Sequence, residues 1–263
     1  MRRWIALLLA LAMLFGLSGC EKEEVEVVIG VAIPILCAVL EEEGYLPEET
    51  APPEDAEEIA DAAFSLAQVP KYSGEAYVPM NGNAPYFDPE GIPPESFEYY
   101  ASLDELGRCG VTAACIGVDI MPTEERGEIG SVKPTGWQSV TYANVDGRYL
   151  YNRCHLIGFQ LAGENANRGN LITGTRYLNI EGMLPFENMV ADFVKETENH
   201  VLYRVTPIFV GSELVARGVL MEGWSVEDQG ESICFCVYAY NVQPGIRIDY
   251  ATGESELMEL SEE

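Results

Sequence analysis

Histidine is scarce in this chain: two residues in 263, His155 and His200, 45 positions apart. Cysteine occurs seven times but never as Cys-x-x-Cys, so a structural zinc site lacks its usual ligand spacing. Cations are few as well, with 15 Lys and Arg against 43 Asp and Glu and a formal charge of −28. Such a surface repels anionic partners at long range, and one could be met only locally. Long apolar runs are missing too. Trp4–Leu17 is short for a membrane span, and the run from Val27 to Leu40 is interrupted by Gly30 and Pro34. No internal repeat is visible. What is plentiful is core-forming material: 48% apolar residues, including 14 Tyr and 9 Phe, which excludes a wholly disordered chain.

At the N-terminus Arg2 and Arg3 precede the first apolar run, and small residues follow in Leu17-Ser18-Gly19-Cys20. That order is the order of a secretory signal. Small residues ending on cysteine resemble the bacterial lipoprotein signal, in which the cysteine is acylated and becomes the mature N-terminus. Residues 1–19 are therefore expected to be a signal peptide, with Cys20 lipidated. Residues 20–68, acidic and rich in Pro and Ala, are expected to be a tether with marginal structure, and 69–263 the folded domain. The protein would be exported, either lipid-anchored on the outer face of the bacterial cell membrane or secreted. Six cysteines then remain, an even number that permits disulfides without giving their connectivity. Cys234 and Cys236 share one face of a strand-like run and should not bridge each other. Buried thiols with at most one bridge are expected.

Charge is unevenly distributed. Residues 1–129 carry 25 acids against 6 bases, and 181–263 carry 16 against 4. Residues 130–180 reverse the balance, with Lys133, Arg148, Arg153, Arg168 and Arg176 against Asp146 and Glu164. The single positive window contains His155. By pattern, SVTYANVDGRYLYNRC reads as two short strands around Asp146-Gly147. A Gly- and Asn-rich loop, the β-like NLITGT and a helix opening near Thr175 follow. Gly182 and Pro185 should break or restart that helix. HVLYRVTPIFV, ELVARGVLMEGW and SICFCVYAYNV read as three further strands, making an α+β domain with an antiparallel sheet and flanking helices.

His155 stands in YNRCHLIG beside Cys154. Neighbours on a strand point to opposite faces, so the pair is not expected to activate a thiolate. A packed core histidine and a base acting on water both remain open. Downstream lie Asn170, Asn179 and Glu187, spread over a strand, a helix start and the next helix. Neutral imidazole can take a proton from water near neutrality. An asparagine oxygen is a hard ligand suited to Mg²⁺. Base, water and metal are the needs of phosphodiester hydrolysis. Taken singly, Asn179 is equally a helix cap, Glu187 a solvated helix residue and Arg153 a structural salt-bridge former. His200, in ETENHVLY, is expected in a surface turn. Loop residues Glu164, Asn165, Asn167 and Arg168 could approach a substrate.

These motifs together, from Gly136-Trp137 to Gly253, resemble the DNA/RNA non-specific endonucleases, especially those secreted or displayed by Gram-positive bacteria. That family has a ββα-metal (His-Me finger) core with the signature Asp-Arg-Gly-His. Here Asn152-Arg153-Cys154-His155 matches it, followed by Leu156-Ile157-Gly158, then NLITGTRYLN, Glu187 and VYAYNVQPGIRIDYATGE. The resemblance implies His155 as general base, Asn179 as the direct ligand of Mg²⁺, or of Mn²⁺ in its place, and Glu187 as holder of water on the metal. Asn170 would support the site by hydrogen bonding, and Arg153 and Arg176 would contact phosphate. DNA, with RNA as a further substrate, would be cut to 5′-phosphate and 3′-hydroxyl ends. No inhibitor protein is readable.

Two departures stand out: Asn152 replaces the signature's aspartate, and Cys154 its glycine. They motivate a rival reading, a surface lipoprotein that keeps the fold to bind nucleic acid or a protein partner with weakened catalysis. A Cys-dependent hydrolase is a second rival. Residues 1–135 carry no signature readable as chemistry.

Overall fold

The computed structural model describes Phe64 and residues 66–258; the expected signal, Cys20, Cys37 and nearly all of the acidic tether lie outside the described residues. In chain order the strands and helices are β1 Tyr77–Pro79, β2 Phe97–Tyr100, β3 Thr112–Ile116, β4 Tyr151–His155, α1 Phe159–Ala162 and β5 Leu171–Thr175. A π-helical turn, Leu178–Met183, leads into α2 Leu184–Thr197. Then come β6 Val201–Ile208, β7 Gly218–Ser225, β8 Cys234–Tyr240, β9 Ile246–Ile248 and β10 Ser255–Leu257. The fold is α+β, as expected, and β6, β7 and β8 are the three β-rich runs read from the sequence.

The main sheet is antiparallel, in the order β1-β8-β7-β6-β3-β2. β6 and β7 pair along their whole length, from Val201 opposite Ser225 to Ile208 opposite Gly218. Their residues are almost all buried because both faces of the sheet are covered, which is why these strands read as apolar runs rather than alternating ones. One face packs against α2 and the β4–β5 pair, with Tyr203, Val219, Phe235 and Val237 meeting Cys154, Leu178, Phe186, Val190 and Val194 in one core. The other face lies under the segment carrying Phe87 and Ile92.

Local sequence explains α2. Pro185 occupies the first turn, where its missing N–H costs nothing. Glu187 sits in the first turn and Lys195 in the last, each complementing the helix dipole. Phe186, Val190, Ala191 and Val194 recur at helical spacing and are all buried. Each of the larger three contributes about 1.5–3 kcal/mol by leaving water. The Phe186 ring lies 4.9 Å from that of Phe235, seating the helix on the sheet.

Arg204 on β6 faces Glu222 on β7, both buried, with Nε 2.6 Å from Oε2. The other oxygen of Glu222 accepts from the Tyr86 backbone N–H at 2.7 Å, so the pair also fastens the covering segment. Removing one partner would strand a buried charge, at a cost of about 3–5 kcal/mol.

One expectation holds and one needs correction. The described cysteines, Cys109, Cys115, Cys154, Cys234 and Cys236, are all free thiols, in keeping with buried thiols and at most one bridge. Four of the five are buried, Cys109 and Cys154 in one core cluster and Cys115 and Cys236 in two others, and behave as small apolar residues. The hairpin around Asp146-Gly147 is reduced to one isolated bridge, Thr141 opposite Tyr149. Its second arm instead becomes β4, which pairs with β5 because that pairing buries Cys154, His155, Leu171 and Ile172.

Candidate active site

β4 and β5 form an antiparallel pair in which His155 lies opposite Leu171, and the chain then enters the helix. This ββα unit borders a cleft of about 1060 Å³. His155 closes β4 and is only 6% exposed. Its Nε2 lies 2.7 Å from the backbone oxygen of Asn165. A carbonyl only accepts, so Nε2 carries the proton and the neutral ring keeps its lone pair on Nδ1. That nitrogen receives an Arg126 Nη2 donor at 3.2 Å. Burial lowers the His155 pKa below its ordinary value, and the Arg126 charge adds to this, while the Asn165 contact opposes it. Near neutrality the ring is therefore uncharged and able to accept a proton.

Asn170 lies beneath this nitrogen-bearing turn. It is fully buried, its Oδ1 accepting from the Ile157 N–H at 2.8 Å and its Nδ2 donating to the Ile157 oxygen at 2.9 Å. Both polar ends are used, so the side chain braces the chain just after His155 and does not line the cleft. Cys109, whose thiol donates toward the Arg168 and Leu171 oxygens at 3.1 and 3.2 Å, braces the same segment from below.

Asn179 and Glu187 both line the cleft although eight positions separate them. In an uninterrupted α-helix eight residues advance about 800°, leaving the two side chains about 80° apart. The π turn holds one extra residue: the Leu184 N–H goes to the Asn179 oxygen, five residues back. That removes about 100° of advance and returns both side chains to nearly the same face. Gly182 and Pro185, expected to break or restart the helix, flank this change of pitch.

Glu187 is half-buried at the cleft floor, and loss of water around its carboxyl pushes the pKa up to about 7, with Arg126 pulling the other way. A Cβ at Gly158 would stand 2.8 Å from that carboxyl, so the glycine after Leu156-Ile157 is what admits Glu187. The Asn179 amide makes no hydrogen bond among the described residues and is left facing the cleft. An unpaired amide oxygen beside a carboxylate fits a hard divalent cation. Among the described residues no three His, Cys, Asp or Glu side chains converge on one point, which suits an ion that retains most of its water rather than zinc in a closed cage.

Of the residues singled out in sequence, His155, Asn179 and Glu187 line the cleft and Asn170 lies below it. The two arginines differ from expectation. Arg153 spends its fork on the backbone oxygens of Val132 and Gly130, the latter at 2.9 Å, and its guanidinium lies 4.0 Å over the Trp137 ring. It ties the irregular segment 126–139 to β4, and among the described residues it forms no salt bridge. Arg176 borders the cleft but is paired with Asp146 at 2.8 Å on the surface. Arg126 is the cleft residue in contact with His155 that sequence reasoning did not single out: it lies in an exposed, acid-flanked segment, Glu124-Glu125-Arg126, where nothing in its surroundings marks it. Asn165, noted only as a loop residue, supplies the carbonyl that fixes the His155 tautomer.

Cys154 points away from His155 into the core with no exposure. Burial holds its thiol protonated, far above the ordinary thiol range. It rests against Gly174, where a Cβ would fall 2.3 Å from Sγ. The Cys-His pair is thus only a sequence adjacency. His200 makes its contact elsewhere, Nδ1 to Glu227 at 2.7 Å.

A small antiparallel pair feeding a helix, with histidine, asparagine and glutamate gathered in one cleft, defines an α+β protein of the ββα-metal type. The DNA/RNA non-specific endonuclease family model matches residues 92–226. The chain belongs to that family. NucA from Streptococcus agalactiae, solved with no metal bound, has a similar fold: TM-score 0.63 at 24% identity over 73% of this chain and 92% of that one. The Sda1 nuclease with bound zinc ion is similar at TM-score 0.56 and 26% identity, over 71% and 97%. A Streptococcus dysgalactiae subsp. equisimilis protein named Deoxyribonuclease is 32% identical over 110 residues, 40% of this chain. The aligned part spans about a third of that relative's length, 32%.

Proposed function

We propose that this chain is a divalent-cation-dependent endonuclease that hydrolyses phosphodiester bonds of DNA, and of RNA as well, without strong sequence preference. The observation that carries this reading is the His155 ring, held by the Asn165 carbonyl with its lone pair on Nδ1, in the same cleft as Asn179 and Glu187. His155 takes a proton from a water that attacks phosphorus in line. Arg126 now meets Nδ1, so the water gains that position only when the guanidinium shifts to a phosphate oxygen. Asn179 would hold the cation, Mg²⁺ or Mn²⁺, with Glu187 beside it orienting water. When bound, the cation supplies neutralisation of charge on the phosphate and the leaving oxygen. Contacts made to the backbone carry no base information, which agrees with sequence indifference. The acidic body opposes DNA at distance, so binding should be weak and salt-sensitive.

A solved NucA from Streptococcus agalactiae with magnesium ion bound, 25% identical at TM-score 0.60, favours Mg²⁺ as the first ion to try. Catalytic weakening by Cys154 loses its motive, since that side chain occupies core and not cleft. The place of action is the cell exterior, with Cys20 acylated. Plasmid digestion with Mg²⁺, with EDTA and with His155→Ala tests the mechanism: cutting is expected only in the first. Cutting that survives EDTA or the His155 change would reject it. Cys20→Ala should move the protein from the membrane fraction to the medium, and retention at the membrane would reject the anchor.

A further inference from the structure

The most exposed large apolar side chain among the described residues is the Tyr149 ring, at 61%, and it stands on the wall of the catalytic cleft. Loose backbone does not explain this exposure. Tyr149 forms the bridge to Thr141, the Tyr142 N–H donates to the Arg148 oxygen at 2.8 Å, and the Leu150 N–H donates to the Val140 oxygen at 3.1 Å. The next residue, Leu150, is fully buried with Val145, Tyr151 and Ile246. The turn itself is fastened to the helix start by Asp146 and Arg176. A ring is therefore held out over the cleft by a hairpin fixed on both sides, and it makes no ring contact within the described residues. Trp137, also on the cleft, differs: one of its faces is already occupied by the Arg153 guanidinium.

An open aromatic face in a cleft that also carries Arg126 and Lys133 matches the chemistry of single-stranded nucleic acid. Cations hold the phosphates, and a π face accepts any unstacked base. We propose that Tyr149 is a stacking subsite for one nucleobase of a single-stranded or locally unpaired substrate. This rests on the nuclease reading of the cleft. Tyr149 lies six positions before His155, with a bend at Leu150 before β4, so the two stand at most about 20 Å apart along the chain and the stacked base lies within a few nucleotides of the phosphate being cut. A paired base keeps both its faces within the duplex and cannot use the ring without leaving it. Duplex recognition therefore depends less on Tyr149 than single-strand recognition does.

The test measures binding of fluorescently labelled oligonucleotides in EDTA at low salt, single strand beside a matched hairpin duplex, with plasmid cutting by the parent chain in Mg²⁺ as a separate readout. Tyr149→Ala should weaken single-strand binding about 5- to 150-fold, the loss expected for one stacked base, and change duplex binding by much less. Tyr149→Trp should restore or tighten it. One abasic nucleotide walked along the strand should cost affinity at one position in the parent and at none in Tyr149→Ala. If the parent cuts and binds but Tyr149→Ala binds single strands equally well, or loses single strand and duplex alike, the stacking subsite is wrong and the nuclease reading stands. If the parent neither binds nor cuts, both fall.

Discussion

The Nε2 nitrogen of His155 lies 2.7 Å from the Asn165 backbone oxygen, and this contact fixes which end of the ring can accept a proton. A main-chain carbonyl cannot be removed by substitution, so the tautomer depends on loop geometry rather than on one exchangeable side chain. The pH dependence of activity follows. The His155 pKa is lowered chiefly by burial and further by Arg126. The acid limb set by this group should therefore fall below the ordinary histidine value of about 6.5. Arg126→Ala removes a positive neighbour and should move the limb to higher pH while reducing kcat. A pH–rate profile at saturating Mg²⁺ measures both, and a limb moving to lower pH would contradict the assignment.

Glu187 predicts an unusual stability change. Its pKa is raised to about 7 in the folded, cation-free protein against an ordinary value near 4.5, so the fold favours its protonated form. Ionising it costs stability as pH rises between those values, and the full cost is present above about 7. In EDTA, Glu187→Gln should raise Tm by roughly a few degrees at pH 8 and change it little at pH 4.5. In Mg²⁺ the same substitution should weaken cation affinity or activity about 10- to 100-fold. A thermal series with and without EDTA checks the crossover.

Arg153 and Arg126 should separate in salt dependence. Arg126→Ala removes a candidate phosphate contact and should reduce the slope of log binding constant against log salt by about one. Arg153→Ala should leave that slope nearly unchanged and lower stability by about 1–3 kcal/mol, since its fork serves the Gly130 and Val132 oxygens. Equal losses of slope would return Arg153 to the phosphate.

Cys154 and Gly174 should be coupled. Gly174→Ala drives a methyl into Cys154 Sγ and the Leu178 side chain, and overpacking of this kind costs about 1–3 kcal/mol. Adding Cys154→Gly should recover part of that loss in a double-mutant cycle. Cys154→Gly alone should retain Mg²⁺-dependent cutting, whereas a Cys-dependent hydrolase would lose all activity.

Much of this was legible in the residues themselves. The runs that became β6, β7 and β8 are apolar because both faces are covered, and Pro185 marks the helix restart because it lacks an N–H. His155, Asn179 and Glu187 were singled out by the resemblance to the family's motifs, since taken one by one each also fits a packed, capping or solvated role, and the structure brings the three to one cleft. Arg126 was not, because its position depends on an irregular segment held by Arg153 through backbone oxygens, and carbonyls leave no mark in sequence. The backbone contacts of Arg153 were hidden for the same reason: a guanidinium suits a phosphate and a pair of carbonyls equally well. The even cysteine count permitted bridges that the described cysteines do not form, since parity says nothing about where the core needs small apolar volume.

The π turn between Asn179 and Glu187 places a constraint on length that ordinary substitution does not test. Inserting one residue within 180–186 would turn Glu187 about a quarter of a revolution away from Asn179, whereas deleting one would let a plain α-helix of seven steps, about 700°, keep them on one face. This interval should accept changes of identity, or loss of the one extra residue, far more readily than an insertion. An aligned relative one residue longer there should be expected to hold its cation by another set of atoms.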